Sequence, residues 1–178
     1  MLRRNAILSL AAGLLFAAAA PFGPDAPDVP PTIAAPPGHR PLLEVSAKGV
    51  QIYKAVEAAG GKLAWTLEAP LADLYDDQLR PIGRHYEGPS WEAPDGSALA
   101  RDESEPVRSA DAPDPRKDIP WLLVKVKPKG PEAGAFAGAT YIQRLRTSGG
   151  KAPSVLPKRA GTKVGVPYTA SYLLLGKA

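Results

Sequence analysis

The densest run of chemistry-bearing side chains is Arg84-His85-Tyr86-Glu87-Gly88-Pro89-Ser90-Trp91-Glu92, followed by Asp95-Gly96-Ser97. It puts an imidazole, two aromatic rings and three carboxylates into 14 residues. An imidazole titrates near neutrality, so His85 beside Glu92 or Asp95 suits general acid–base work. Aromatic faces flanked by carboxylates also suit a carbohydrate. Other chemistries fit less well. A metal would have to use His85 with Glu92 and Asp95 at a spacing that matches no established motif. A triad from Ser90, His85 and Asp95 lacks the Gly-x-Ser-x-Gly turn. Neither a phosphate-cradling glycine loop nor a dinucleotide fingerprint occurs, so no cofactor is expected. The same residues have plain structural roles as well. Gly88-Pro89 and Asp95-Gly96 are turn dipeptides, Trp91 fits a core anchor, and a lone histidine commonly hydrogen-bonds a neighbouring loop.

Two further positions join the candidates. Trp121 stands at a strand entrance in Ile119-Pro120-Trp121-Leu122-Leu123. Gln143 and Arg144 are adjacent in a strand-like segment, so they point to opposite faces, and an inward one needs a partner such as a carboxylate from the His85 segment. The reading that follows is a non-catalytic module for a small ligand or a protein partner. Tyr86, Trp91 and Trp121 would supply stacking surface; His85, Glu92, Asp95 and Arg144 would supply polar contacts. The alternative is an extracellular hydrolase using His85 with Glu92 or Asp95.

The elements that must position these side chains are strands. Gly49 to Ala55 reads as one strand, and Leu63, Trp65 and Leu67 alternate at period 2 in the next. Leu71 to Tyr75, the Asp76-Asp77-Gln78 turn and Leu79 to Gly83 suggest a second hairpin. Ile119 to Lys127 and Thr140 to Thr147 are firmer strands. In Val164 to Leu175 an extended chain puts Val164, Val166, Tyr168, Ala170, Tyr172 and Leu174 on one face. Ala98 to Asp118, charged and punctuated by proline, reads as a long surface loop. The expected fold is all-β, an antiparallel β-sandwich or distorted β-barrel of about eight to ten short strands with little helix.

The ends of the chain carry a different signal. Met1 to Ala20 has a positive start at Arg3 and Arg4, an apolar run and small residues at Ala17 to Ala20, the layout of a secretory signal. Its apolar run of about 15 residues is short of a bilayer span, so no transmembrane span is expected in the mature chain; the alternative reading of the segment is an uncleaved membrane anchor. Pro21 to Pro41 holds eight prolines in 21 residues, an extended linker by composition, part of which lies along the domain. Residues 42–178 then form a single β domain, exported to the periplasm or the extracellular space. Its partners are expected among small ligands and envelope proteins.

Composition narrows the classes further. The 178 residues carry a formal charge of +4. Setting aside Arg3 and Arg4 leaves 20 basic and 18 acidic side chains, interspersed without a cationic block. Nucleic acid is therefore not an expected partner. Cysteine is absent, which excludes disulfides, thiolate metal sites and cysteine nucleophiles.

In order along the chain, Gly49-Val50-Gln51-Ile52-Tyr53, Trp65, Ala69-Pro70, Ala72-Asp73-Leu74, His85-Tyr86, Gly88-Pro89, Trp91-Glu92 and Asp95-Gly96-Ser97 form a recognisable series. It continues through Ile119-Pro120-Trp121-Leu122-Leu123, Ile142-Gln143-Arg144, Thr147, Gly149-Gly150, Ala152-Pro153 and Val166-Pro167-Tyr168. In these motifs the chain resembles the secreted bacterial and fungal proteins of domain-of-unknown-function family 3455. The resemblance implies an exported β domain and no particular activity. Similar proteins often carry two cysteines, where this chain has Ala55 and, near Pro157, no cysteine; the joint absence is what a lost disulfide would look like, with a lost metal or redox site as the alternative. Fungal relatives sometimes bear the label malate dehydrogenase, yet this chain has no Rossmann unit or glycine fingerprint.

Overall fold

The computed structural model describes residues 29–178. The signal-like segment 1–20 and the leader up to residue 28 lie outside the described residues. Nine strands follow a short 3-10 turn at Pro31–Ile33: β1 His39–Glu57, β2 Leu63–Tyr75, β3 Pro81–Tyr86, β4 Ser90–Glu92, β5 Ala98–Arg101, β6 Arg108–Ala110, β7 Trp121–Pro128, β8 Ala139–Gly149 and β9 Lys163–Lys177. Every pairing is antiparallel. The sheet runs β5-β4-β3-β2-β1-β9-β8-β7, and β5 also pairs with β7, which closes eight strands into a barrel. Of the two expected all-β architectures, the barrel forms. β6 adds to the first half of β7 beside the closure.

Side-chain alternation decides what fills the barrel. On β1 the inward series is Val45, Ala47, Gly49, Gln51, Tyr53 and Ala55; on β9 it is the Val164-to-Leu174 series expected from the sequence, paired across from β1. β2 looks inconsistent by parity alone, because its inward residues are odd-numbered at Leu63, Trp65 and Leu67 but even-numbered at Pro70, Ala72 and Leu74. A bulge reconciles them. Ile52 faces Ala69 and Tyr53 faces Leu67, so Glu68 is an extra residue. One extra residue flips all subsequent side chains to the other face. The two segments separated in the sequence reading are therefore a single 13-residue strand.

Two other expectations are corrected. Ala98 to Asp118 is not one loop: it contains β5, which closes the barrel by pairing Leu99, Ala100 and Arg101 with β7, and β6. Both strands are short. β5 forms a local hairpin with β4 on one edge and meets the distant β7 on the other, while β6 pairs, among the described residues, only with β7. Runs of three or four residues are too short for periodicity to register. The sheet also starts earlier than residue 42. β1 begins at His39, and part of the leader lies along the domain. Pro31 fits the first position of the 3-10 turn, where no N–H is needed. The turn presents Ile33, fully buried against Trp121, Leu123, Tyr141 and Leu175 on the outer face of β7–β9. Gln143 Nε2 donates to the Ile33 carbonyl at 2.7 Å, which ties this strap down.

The interior differs at its two ends. At one, Leu74, Val126, Ala139 and Leu174 pack around Phe136, carried by the loop between β7 and β8 and 1% exposed. Toward the other end, where β7 begins, the interior is open. No helix among the described residues is long and apolar enough to cross a membrane.

Candidate functional site

The segment 84–97 is a β-hairpin plus a turn, and strand alternation splits its chemistry into two sets. His85 faces Trp91 directly across the β3–β4 pair, and both point inward. Arg84, Tyr86, Ser90 and Glu92 point outward. Inside, the His85 and Trp91 rings stack with centroids 4.4 Å apart and planes 13° from parallel. Tyr172 stands edge-on to both, at 5.1 Å from His85 and 5.8 Å from Trp91. Outside, the Tyr86 hydroxyl donates to Glu92 at 2.7 Å, and Arg84 approaches the same carboxylate at 3.5 Å. The Tyr86 hydrogen bond, assisted by Arg84, holds the Glu92 carboxyl below its ordinary pKa. Lys129 lies 5.0 Å over the Tyr86 ring.

Asp95 also stays out of the interior set. Its carboxylate accepts from Ser97 Oγ at 2.6 Å, from Ser97 N at 2.9 Å and from Ala135 N at 2.7 Å. These bonds lower its pKa and latch the loop that carries Phe136. Trp121 points to the outer face of β7 and packs under the leader strap. Glu92 and Asp95 therefore do not flank the interior rings of His85 and Trp91; the aromatic–carboxylate pair that forms is Tyr86 with Glu92, on the outer face. The His85–Glu92 or His85–Asp95 couple of the hydrolase reading is not formed.

Arg144 does point inward, but its partner is not a carboxylate. Its Nε and Nη2 both donate to the Pro120 carbonyl, at 3.1 and 2.8 Å. Arg144, His85, Trp91 and Tyr172 line a cavity of about 370 Å³ in the barrel interior. Apolar side chains, among them Leu122, Val124 and Ile142, form most of the rest of its wall. Two more cations, Arg101 and Lys151, border it, and among the described residues no carboxylate does. Among the described residues, none of these three cations takes part in an ion pair. Three lining residues each bury a nitrogen with no hydrogen-bond partner: Gln51 Nε2, Trp91 Nε1 and Arg101 Nε.

Gln51, Tyr53, Arg101, Lys151 and Tyr172 were not among the sequence candidates. Gln51 leaves a signal, as an amide in the inward series of an apolar alternation. Tyr172 lies in the most regular strand and reads there as ordinary core. Arg101 and Lys151 leave none, because their place depends on how the barrel closes.

His85 is electrically silent at neutral pH. Burial drives its pKa down to about 3 and the Arg144 charge adds to the effect, while the hydrogen bond to Ser90 opposes it. Nδ1 lies 2.8 Å from the Ser90 carbonyl. A carbonyl only accepts, so Nδ1 carries the proton and Nε2 is bare. Arg144 also draws down the pKa of Tyr53, Tyr168 and Tyr172, although burial outweighs it and all three end above the ordinary phenol value. The sign for stability follows from His85. Between pH 6.5 and about 3, the unfolded chain binds a proton that the folded chain refuses. Stability is full above pH 6.5 and falls as the pH drops through that window, by at most about 1.4 kcal/mol per pH unit. His85→Gln is expected to flatten this slope in urea melts recorded across the window; an unchanged slope would assign it to the carboxylates.

A family model described as "Protein of unknown function (DUF3455)" matches residues 77–176. The match spans β3 to β9 and includes His85, Trp91, Arg101, Arg144, Lys151 and Tyr172. Neither a curated protein nor a solved structure matches the chain.

Proposed function

The chain belongs to the DUF3455 family of proteins of unknown function, and from the geometry of its barrel we propose that it is a non-catalytic binding module holding a small, mostly apolar molecule in the interior. The cavity carries the proposal. Eight strands make a barrel just wide enough either to fill with side chains or to hold one small ligand. This one is filled around Phe136 and left open beside Trp91. A volume of about 370 Å³ falls in the range of small-molecule sites, and apolar walls with a few polar groups are their usual lining. A neutral His85, turned toward a carbonyl and away from any carboxylate, favours binding over acid–base catalysis. The positive start and apolar run of residues 1–20 support an exported location, periplasmic or extracellular, where such a module would act in the cell envelope.

N-phenyl-1-naphthylamine, an uncharged dye that fluoresces in apolar surroundings, tests this reading. The protein is expected to bind it with a stoichiometry near one. Val124→Trp places an indole in the cavity and is expected to weaken binding at least tenfold, with a melting temperature close to the parent's. Absence of saturable binding in the parent, or undiminished binding in a folded Val124→Trp, would reject the interior site.

A further inference from the structure

The cavity's polar inventory is one-sided. Among the described residues, Arg101, Arg144 and Lys151 border it without an ion-pair partner, and no carboxylate lines it. The unpartnered nitrogens of Gln51, Trp91 and Arg101 are N–H donors. A buried cation without a counter-charge is costly, and so is a buried donor without an acceptor. Arg144 is only 9% exposed. A guanidinium has five N–H donors, and the Pro120 carbonyl takes two of them. The missing complement is one chemical species: an acceptor-rich negative group, inside walls of Leu122, Val124, Ile142 and the Trp91 indole.

We propose that the cavity selects an organic acid, a molecule with an apolar or aromatic body and a carboxylate or equivalent anionic group that Arg144, Arg101 and Lys151 neutralise. This rests on the interior-site reading and adds the charge of the ligand to it. A sugar would find too few acceptors and too much apolar wall. A free phosphate would leave most of that wall without a partner. An amphiphilic acid satisfies both halves of the lining, its body against the aliphatic wall and its charge among the donors. Arg144, the most buried of the three cations, is the residue expected to contribute most to the choice of charge.

Matched probes separate the two levels of the argument. 2-Naphthoate and 2-naphthalenemethanol have the same ring system and differ in charge. Both are titrated against N-phenyl-1-naphthylamine bound to the full chain at pH 7.5. Naphthoate is expected to displace the dye at a concentration at least tenfold below that of the alcohol. The preference should shrink as salt rises, and shrink again in Arg144→Met and, separately, in the more exposed Lys151→Met. Lys151→Met keeps the test open if removing Arg144 disturbs folding, which circular dichroism would reveal. Equal displacement by acid and alcohol would overturn the organic-acid inference and leave the interior site standing. A preference unchanged in both folded variants would overturn the assignment to these cations. Failure of the dye itself to bind would reject the interior site and this inference together.

Discussion

Gly49→Ala is expected to cost more than about 4 kcal/mol, or to prevent folding altogether, although alanine is normally harmless in a strand. Gly49 lies on the inward face of β1, opposite Ala72 on β2 and Tyr168 on β9. A Cβ built there overlaps the Leu71 carbonyl oxygen and the Ala72 Cα and Cβ. Two of those atoms belong to the backbone of the neighbouring strand, so no rotamer change makes room. The β1–β2 pair would have to part, and both strands are in the closed ring, so the disturbance passes to the barrel as a whole. Gly165 provides the comparison: the atoms nearest a Cβ there belong to the Val50 side chain, at 3.3 Å and beyond, and Gly165→Ala is expected to cost no more than about 1 kcal/mol. Urea unfolding of both variants makes the check. A Gly49→Ala protein as stable as Gly165→Ala would mean that the two strands do not approach this closely.

Phe136→Ala is expected to lower stability by about 3–5 kcal/mol, the usual cost of emptying a buried phenylalanine site. The ring fills the end of the barrel opposite the cavity, and no other side chain of its loop can replace it. What holds the loop is Asp95, whose carboxylate accepts from Ala135 N, while Ser97 Oγ accepts from Phe136 N at 3.2 Å. Asp95→Ala is expected to give a smaller loss in the same direction, because it releases the loop without removing the ring. The two should not add: once the loop is free, Phe136 has already left part of its site, so the double variant is expected to lose less than the sum. Strict additivity in urea midpoints would show that Asp95 stabilises its own turn and nothing further.

These positions also mark what local reading can and cannot reach. Asp95-Gly96-Ser97 is recognisable as a turn, because aspartate and serine bonding to nearby N–H groups is a local event. That the same carboxylate also holds Ala135, forty residues away, has no local trace. The strands β7, β8 and β9 are legible because long apolar alternations are a property of the segment alone. The bulge at Glu68 is only half legible: a change of parity within Leu63 to Tyr75 is written in the residues, but either a bulge or a turn accounts for it, and the partner strand decides between them. β5 and β6 are illegible because three- and four-residue strands are too short to show a period. Among the described residues β6 pairs only with an edge of β7 offered from elsewhere in the chain, and β5, though hairpinned to β4, closes the barrel only by meeting that same strand.

The candidate residues divide in the same way. That His85, Trp91 and Arg144 belong together was within reach of the sequence. Tyr86, Glu92, Asp95 and Trp121 were grouped with them because nearness in sequence, or aromatic type, resembles nearness in space. In a β-sheet it does the opposite, since neighbours in sequence face opposite sides. The residues themselves determined an all-β domain, its most regular strands, the absence of disulfides, and a cluster around His85 worth pursuing. Only the closed barrel decided which of those side chains share an interior. It brought Gln51, Arg101, Lys151 and Tyr172 to them from four other parts of the chain, and it turned the carboxylates away. The physical reason is that alternation assigns each side chain to a face of its own strand, while ring closure, formed by β5 meeting β7, decides which faces enclose the same space.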